Sequence, residues 1–228
     1  MSRIIDKKYF LKTEYTMTIN AKLTEQTRIR YQCIAPIYDR MEALSERRFR
    51  AWRPRLWSRV YGPEVLEVGV GTGKNIPYYP PGLAITAIDL TPGMLERAQT
   101  RAQALNVEVD LRLADVQALD FPDNTFDDVV ATCVFCSVPE PVLGLREIAR
   151  VLKPRGQVHL LEHVRAANPG LGRIMDALNP VVVRMMGANI NRRTVENVQK
   201  SGLQLESVED VGLGGIFKLM VATKVVMP

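Results

Sequence analysis

Short apolar runs alternate with amphipathic stretches through most of the chain. Glu64 to Val68 ("EVLEV"), Ala84 to Asp89 ("AITAID"), Val107 to Leu113, Asp128 to Cys133 ("DVVATC") and Gln157 to Val164 ("QVHLLEHV") read as buried strands bounded by turn residues. Between them, Pro92 to Ala104 and Pro139 to Leu152 carry helical spacing with proline in the opening turn. Strand and helix alternating in this way predict an α/β fold, a mostly parallel sheet covered on both faces with right-handed crossovers. Such sheets bind ligands at the carboxyl ends of their strands, near the switch point in strand order. The tail changes character: Leu203 to Val211 and Ile216 to Lys224 read as two strands joined by "GLGG", a hairpin connection.

Residues 1 to 22 lack a period and are expected to form a poorly ordered leader, with Met17 an alternative start. From Thr24 to Val60 the pattern is helical, and Pro54 should kink or split the helix. The piece "RMEALSERRFRAWRPRLWSRV" holds seven arginines and both tryptophans, and Phe49, Trp52, Leu56 and Val60 recur at helical spacing. Two readings fit it: an interfacial helix offering Arg47, Arg48, Arg50 and Arg55 to lipid phosphates, or a cationic helix packed on the sheet.

At 228 residues and 46% hydrophobic content the chain can bury one full core, so residues 23 to 228 are expected to form a single domain. A net charge of +5 permits contact with a phosphate-bearing partner, nucleic acid or an anionic membrane. The three cysteines, with no secretory leader expected, suit a reducing cytoplasm. Cys133 and Cys136 form a C-x-x-C pair, but without a second Cys/His pair no metal site is expected, and buried thiols are favoured over a redox pair. No run reaches the ~18 apolar residues of a membrane span, so any membrane contact is expected to be peripheral.

The chemistry concentrates in "VLEVGVGTGKN", residues 65 to 75. Its G-x-G-x-G spacing, Gly69, Gly71 and Gly73, departs from the dinucleotide fingerprint, and Lys74 followed by Asn75 departs from a P-loop. Asp89 ends the second strand, where a carboxylate can accept both hydroxyls of a ribose lying over the glycine turn. Asp115, after the third strand, could accept from the exocyclic amine of an adenine. Singly each acid also fits a solvated strand end. Glu67 and Asp89 together would repel a phosphate, which argues against a dinucleotide.

The motifs "LEVGVGTG", "ITAIDLTPGMLERA", "LADVQALDFPDNTFDDVVA" and "EIARVLKPRGQVHLLEH" resemble those of class I S-adenosylmethionine-dependent methyltransferases, over Glu64 to Lys224. The resemblance implies a Rossmann-like seven-stranded sheet with an antiparallel last strand. It assigns Glu67, Gly69, Gly71, Gly73 and Asn75 to the methionine part of the cofactor, Asp89 to its ribose, and Leu90 and Met94 to its adenine. Asp115 and Val116 would meet the adenine edge, while Thr132, Cys133 and Val134 would flank the sulfonium, with S-adenosylhomocysteine as the product. The stretch "APIYD" resembles a helical lid of quinone-pathway methyltransferases and bacterial phosphatidylethanolamine N-methyltransferases, which makes Tyr31 and Tyr38 lid residues, against ordinary helix packing.

The acceptor is less determined. "LEHV" puts Glu162 and His163 at the end of the fifth strand; His163 is either a general base or a structural hydrogen-bonding group, and His159 is a packed residue. Tyr38 joins His163 as the catalytic candidates, with Phe135 and Glu162 on the acceptor side. Residues 165 to 193 form an insertion where this fold builds its acceptor pocket; Met175, Met185 and Met186 suit an apolar cavity, and Arg184, Arg192 and Arg193 an anionic head group. "VFCSVPEP" and "LKPRGQVHLLEHV" also resemble membrane-associated methyltransferases of small thiols. The first expectation is a cytoplasmic enzyme, peripheral on the inner face of the cell membrane, that N-methylates phosphatidylethanolamine. The alternatives are C-methylation of a prenylated quinol, S-methylation of a small thiol, or, from another class, an RNA-binding protein or inactive cofactor-binding module. No RNA-binding signature is present, so a nucleic-acid partner is disfavoured.

Overall fold

The structure, a computed structural model, describes residues 19–224. Most of the expected leader, residues 1–18, lies outside them. The first helix, α1, spans Ala21–Ile34, with the Asn20 side chain accepting from the Leu23 N–H as its cap. A 3-10 turn over Ala35–Ile37 leads into α2 (Tyr38–Met41) and then α3 (Ala43–Trp57). The break expected at Pro54 falls instead at Ala35-Pro36 and at Glu42. Pro54 sits inside the last turns of α3, where the missing N–H costs one hydrogen bond and the helix runs three residues further.

The sheet contains β1 (Glu64–Val68), β2 (Ala84–Asp89), β3 (Asp110–Leu113), β4 (Phe126–Thr132), β5 (Leu152–His163), β6 (Leu203–Gly212) and β7 (Phe217–Lys224). The helices α4 (Pro92–Leu105), α5 (Pro141–Val151), α6 (Pro169–Met186) and α7 (Thr194–Lys200) complete the fold. Strand order is β3-β2-β1-β4-β5-β7-β6. The first five strands pair in parallel, and β7 runs antiparallel between β5 and β6. The chain reverses its direction of travel across the sheet at β1, which pairs with both β2 and β4, and this opens the crevice at their carboxyl ends. β5 begins five residues before Gln157, because Arg155 with φ +68° makes a bulge that lets Leu152 rejoin Phe126 of β4.

Alternate residues of the strands feed the apolar packing on the two faces of the sheet. Leu66, Val68, Val158, Leu160, Met220 and Ala222 pack with Leu145 and Ile148 of α5. On the other face, Val65, Leu161 and Leu219 meet Phe49, Trp52, Leu56 and Trp57 of α3. Phe49 and Trp52 also lie edge-on or tilted against Phe217 of β7. Burying a ring such as Phe49 contributes about 2 kcal/mol. The aromatic face of the arginine-rich helix is therefore the face that seats it on the sheet. Arg55 and Arg59 pair with Glu209 of β6, so the packed reading of α3 holds and Arg55 is engaged by protein.

Candidate functional site

A cleft open at its mouth lies at the carboxyl ends of β1 to β4 and beneath α1 and α2. Its walls include Gly69, Gly71, Asp89, Leu90, Met94, Asp115, Val116, Thr132, Cys133 and Val134 from the sheet, and Tyr31 and Tyr38 from above. The structure thus brings together most of the residues expected around a cofactor.

The glycine turn is shaped by what a side chain would do there. A Cβ on Gly69 would meet Val134 Cγ2 at 2.5 Å, and one on Gly73 would meet Ile76 Cδ1 at 2.6 Å and the Ala98 Cα of α4 at 3.1 Å; both glycines also hold positive φ. Gly71 differs: a Cβ there would find only the Gly69 carbonyl, 4.0 Å away, and would project into the cavity. Gly73 serves helix packing, and Gly71 keeps the cradle clear. The Asp89 carboxylate anchors this turn, accepting the Gly71 N–H at 2.9 Å through one oxygen and the Thr91 N–H at 2.9 Å through the other. Burial raises its pKa, partly offset by these hydrogen bonds. Asp89 also lines the cavity, where its carboxylate could accept from a ligand hydroxyl.

Asp115 is fastened differently. It accepts the Gln117 N–H at 2.9 Å and both oxygens receive the Gln117 side-chain amide at 3.0 Å. Gln117, absent from the sequence reading, is buried, lines the cavity and reaches Thr24 of α1 at 3.0 Å. The D-x-Q spacing was the available signal, since an aspartate commonly bonds the N–H two residues on. Thr91 and Ser137 were also missed.

The N-terminal helices are pinned to the loop or helix that follows each of the first four strands. Asp39 accepts from Thr72 Oγ1 at 2.6 Å after β1; Gln32 accepts the Gly93 N–H at 2.9 Å at the start of α4. Thr24 accepts from Gln117 after β3, and Tyr31 shares a 2.5 Å hydrogen bond with Ser137 after β4. Arg101, Arg97 and Lys74 also surround Asp39, at 2.8, 3.5 and 3.9 Å. Burial pushes the Asp39 pKa up, but the Thr72 hydrogen bond and these cations outweigh it, and the net shift is downward. Tyr38 lines the cavity with Lys74 Nζ 5.2 Å from its ring centroid, and burial raises the pKa of both lid tyrosines, which stay neutral.

Several expected site residues lie elsewhere. Glu67 projects from β1 to the α3 side, opposite to Leu66 and Val68, and lies outside the cavity wall. There it accepts from Asn75 Nδ2 at 2.7 Å and from the Tyr79 hydroxyl, and Asn75 in turn accepts from Arg53 at 2.5 Å. Burial pushes the Glu67 pKa to about 7. Glu67 and Asn75 therefore brace the glycine turn from behind, and the electrostatic case against a phosphate rests on Asp89. Phe135 is fully buried in the core. Glu162 is also fully buried and accepts the N–H groups of Val134 at 2.8 Å and Phe135 at 3.2 Å, holding the turn after β4; its other oxygen has no partner, and burial pushes its pKa to about 7.

His163 stands outside the cavity wall, its ring edge-on to Phe217 at 5.1 Å, with its pKa lowered by burial. In β5 it falls on the same face as Leu161, the face that α3 covers. His159 is packed as expected, bonded to Asp128 at 2.9 Å. Arg192 is partly buried and donates to the Val138 carbonyl at 2.7 Å, Arg193 pairs with Glu196 on the surface, and Arg184 is exposed on α6. None of the three lines the cavity. Cys133 and Cys136 are free thiols, the latter pushed up to about 12 by burial. Among the described residues no cluster of His, Cys, Asp or Glu could hold a metal, and no helix is long and apolar enough to cross a membrane.

Residues 66–160 match the family described as a methyltransferase domain. The chain is 41% identical over 119 residues to the phosphatidylethanolamine N-methyltransferase of Cereibacter sphaeroides, covering 51% of this chain and 59% of that one. It is 34% identical over 151 residues to the rat (Rattus norvegicus) thiol S-methyltransferase TMT1B, covering 62% of each. To the demethylmenaquinone methyltransferase of Renibacterium salmoninarum it is 31% identical over 176 residues, covering 75% of this chain and 71% of the relative. The chain spans about three fifths of the length of the first two relatives. The open cradle at Gly71 and the half-satisfied Asp89 carboxylate fit the amino-acid and ribose parts of S-adenosylmethionine. With that cavity and these relatives, the chain belongs to the class I S-adenosylmethionine-dependent methyltransferases.

Proposed function

We propose that the protein transfers a methyl group from S-adenosylmethionine to an amphiphilic acceptor at the membrane surface of the cytoplasm, with the amine of phosphatidylethanolamine as the first candidate. The observation that carries the reaction is the Asp89 carboxylate, set beside the clear space at Gly71 and beneath Tyr31 and Tyr38. When bound, the cofactor supplies an already activated methyl group, so the protein's work is alignment and exclusion of water. Asp89 would hold the ribose, Leu90, Met94 and Val116 would enclose the adenine, and Thr132 to Val134 would wall the side on which the methyl group is transferred. The lid tyrosines close the remaining side. No titratable base lies in the cavity wall at the end of β5, which suits an acceptor deprotonated by desolvation as it enters. Desolvation lowers the pKa of an amine, ordinarily about 10, and raises that of a thiol, ordinarily about 8.5, so this route serves the amine and not the thiol.

The choice of phosphatidylethanolamine is supported by the 41% identity to the bacterial N-methyltransferase. A small thiol is the second reading, supported by the rat relative, and a prenylated quinol the third. The deciding experiment incubates the protein and methyl-labelled cofactor with detergent-dispersed phosphatidylethanolamine, an alkyl thiol or a prenylated hydroquinone, and follows label into each. Label in the ethanolamine head group is the expected result. Label only in the thiol or the quinol overturns that acceptor, and label in none overturns methyl transfer to this class of molecule.

A further inference from the structure

The helix α6 carries its apolar side outward. Its inner side is fixed to the body by small and polar groups: Gly172 and Met175 are buried, Asp176 pairs with Arg165 at 2.8 Å, and Asn179 accepts the Ile190 N–H at 2.9 Å and donates to Asn189 at 3.1 Å. Leu171, Ile174, Leu178, Val181 and Met185 step along the opposite side at intervals of three and four residues, each between 42% and 75% exposed. An amphipathic helix of a self-sufficient domain shows the reverse arrangement, with the apolar stripe on the core. At ~1.5 Å per residue the stripe is on the order of 20 Å long, a continuous apolar strip rather than a scatter of single side chains.

We infer that this outward stripe of α6 is a docking surface for an anionic lipid leaflet, with the helix lying in the plane of the membrane interface. Charge decides the occupant. Arg173 and Arg184, both exposed and about three turns apart, run along one flank of the stripe. The helix's own carboxylate, Asp176, is exposed but paired with Arg165, so the charges of Arg173 and Arg184 stay uncancelled along that flank. An apolar stripe edged by arginines complements acyl chains edged by phosphates, whereas a second copy of this chain would bring like charges together. The position is apt as well. Asn189, just beyond α6, donates through both its N–H and its side-chain amide to the Cys136 carbonyl, beside Ser137 and Val138 of the cavity wall, and Gly187 packs against Arg30 of α1. A leaflet on α6 therefore lies beside the seam between the lid and the turn after β4. This deepens the membrane-surface reading and rests on it for its purpose, while the surface can be tested without catalysis.

The test is flotation of the whole chain with vesicles of phosphatidylcholine, with and without phosphatidylglycerol, at low and high salt. The wild type is expected to float with the anionic vesicles at low salt. Ile174→Glu with Leu178→Glu should weaken that binding by about tenfold or more, because both charges must enter the acyl boundary. Arg173→Glu with Arg184→Glu should weaken it by at least about fivefold per residue and flatten its salt dependence. S-adenosylmethionine binding by calorimetry, unchanged in the leucine and isoleucine pair, shows that this variant is folded. Failure of the wild type to float, equal flotation of the variants, or a wild-type dimer that the two glutamates dissociate would each overturn the inference. Methylation of detergent-dispersed lipid is read separately: label transfer without flotation rejects this surface alone, and flotation without transfer rejects the acceptor alone.

Discussion

Replacing Glu162 by Gln should make the protein more stable above neutral pH and leave it nearly unchanged in mild acid. Glu162 is fully buried, one oxygen holds the Val134 and Phe135 N–H groups, and the other has no partner. Desolvation by burial is the leading cause of its pKa of about 7, against an ordinary 4.5. The folded state therefore binds this proton more tightly than the unfolded chain does. Its contribution to stability is fully present below pH 4.5 and drains away as pH rises to about 7, a loss of about 3 kcal/mol. Gln keeps the accepting oxygen in place and puts a neutral donor where the protonated carboxyl has its own, so it fixes the state that folding favours. Urea unfolding followed by the fluorescence of the buried Trp52 and Trp57 measures this at pH 5 and pH 8. The variant should gain on the wild type by about 2–3 kcal/mol between those values. Glu67, also at about 7, remains in both proteins and gives them a shared slope. Parallel pH profiles, or a Gln variant less stable at pH 8, would refute the claim that Glu162 is held by two backbone donors in an otherwise unsolvated site.

Asp89→Ala removes the carboxylate proposed above to hold the ribose and leaves the Gly71 and Thr91 N–H groups without their acceptor; S-adenosylmethionine should bind about a hundredfold more weakly or worse by calorimetry, and wild-type affinity would remove Asp89 from the site. Asp39→Asn weakens the contacts to Arg101, Arg97 and Lys74 while keeping a group that can accept from Thr72. The cofactor KM should rise several-fold while stability falls by about 1 kcal/mol or less; an equal loss of both would make Asp39 a purely structural residue.

The sequence made the scaffold legible and left the facing of its elements open. The bounds of β1 and β2 follow from apolar runs cut off by Pro63, Gly69 and Leu83-to-Thr91 turn chemistry, and the structure reproduces both. Asp89 could be singled out because it ends β2, and the structure sets its carboxylate on the Gly71 N–H at the cavity wall. Glu67 was not, because its position one residue from Val68 fixes only that the two side chains point apart; which of them meets the ligand depends on where the lid lies. The same ambiguity governs α3 and α6. Periodicity shows that each has an apolar side, but Phe49 and Trp52 find Phe217 beneath them, whereas Ile174 and Leu178 stay more than half exposed among the described residues.

The lid explains why those two helices matter to one reaction. Asp39, Gln32, Thr24 and Tyr31 each bond a different one of the four segments that follow β1 to β4. Those four segments also supply the cavity wall, so lid docking and cofactor binding stabilise each other by linkage, and each weakens when the other is lost. At Gly187, just past the end of α6, the Arg30 side chain of α1 lies against the backbone, stem and guanidinium together. Were the acceptor an amphiphile held by the α6 stripe, as proposed above, this seam between α1 and α6 would be its way to the cleft.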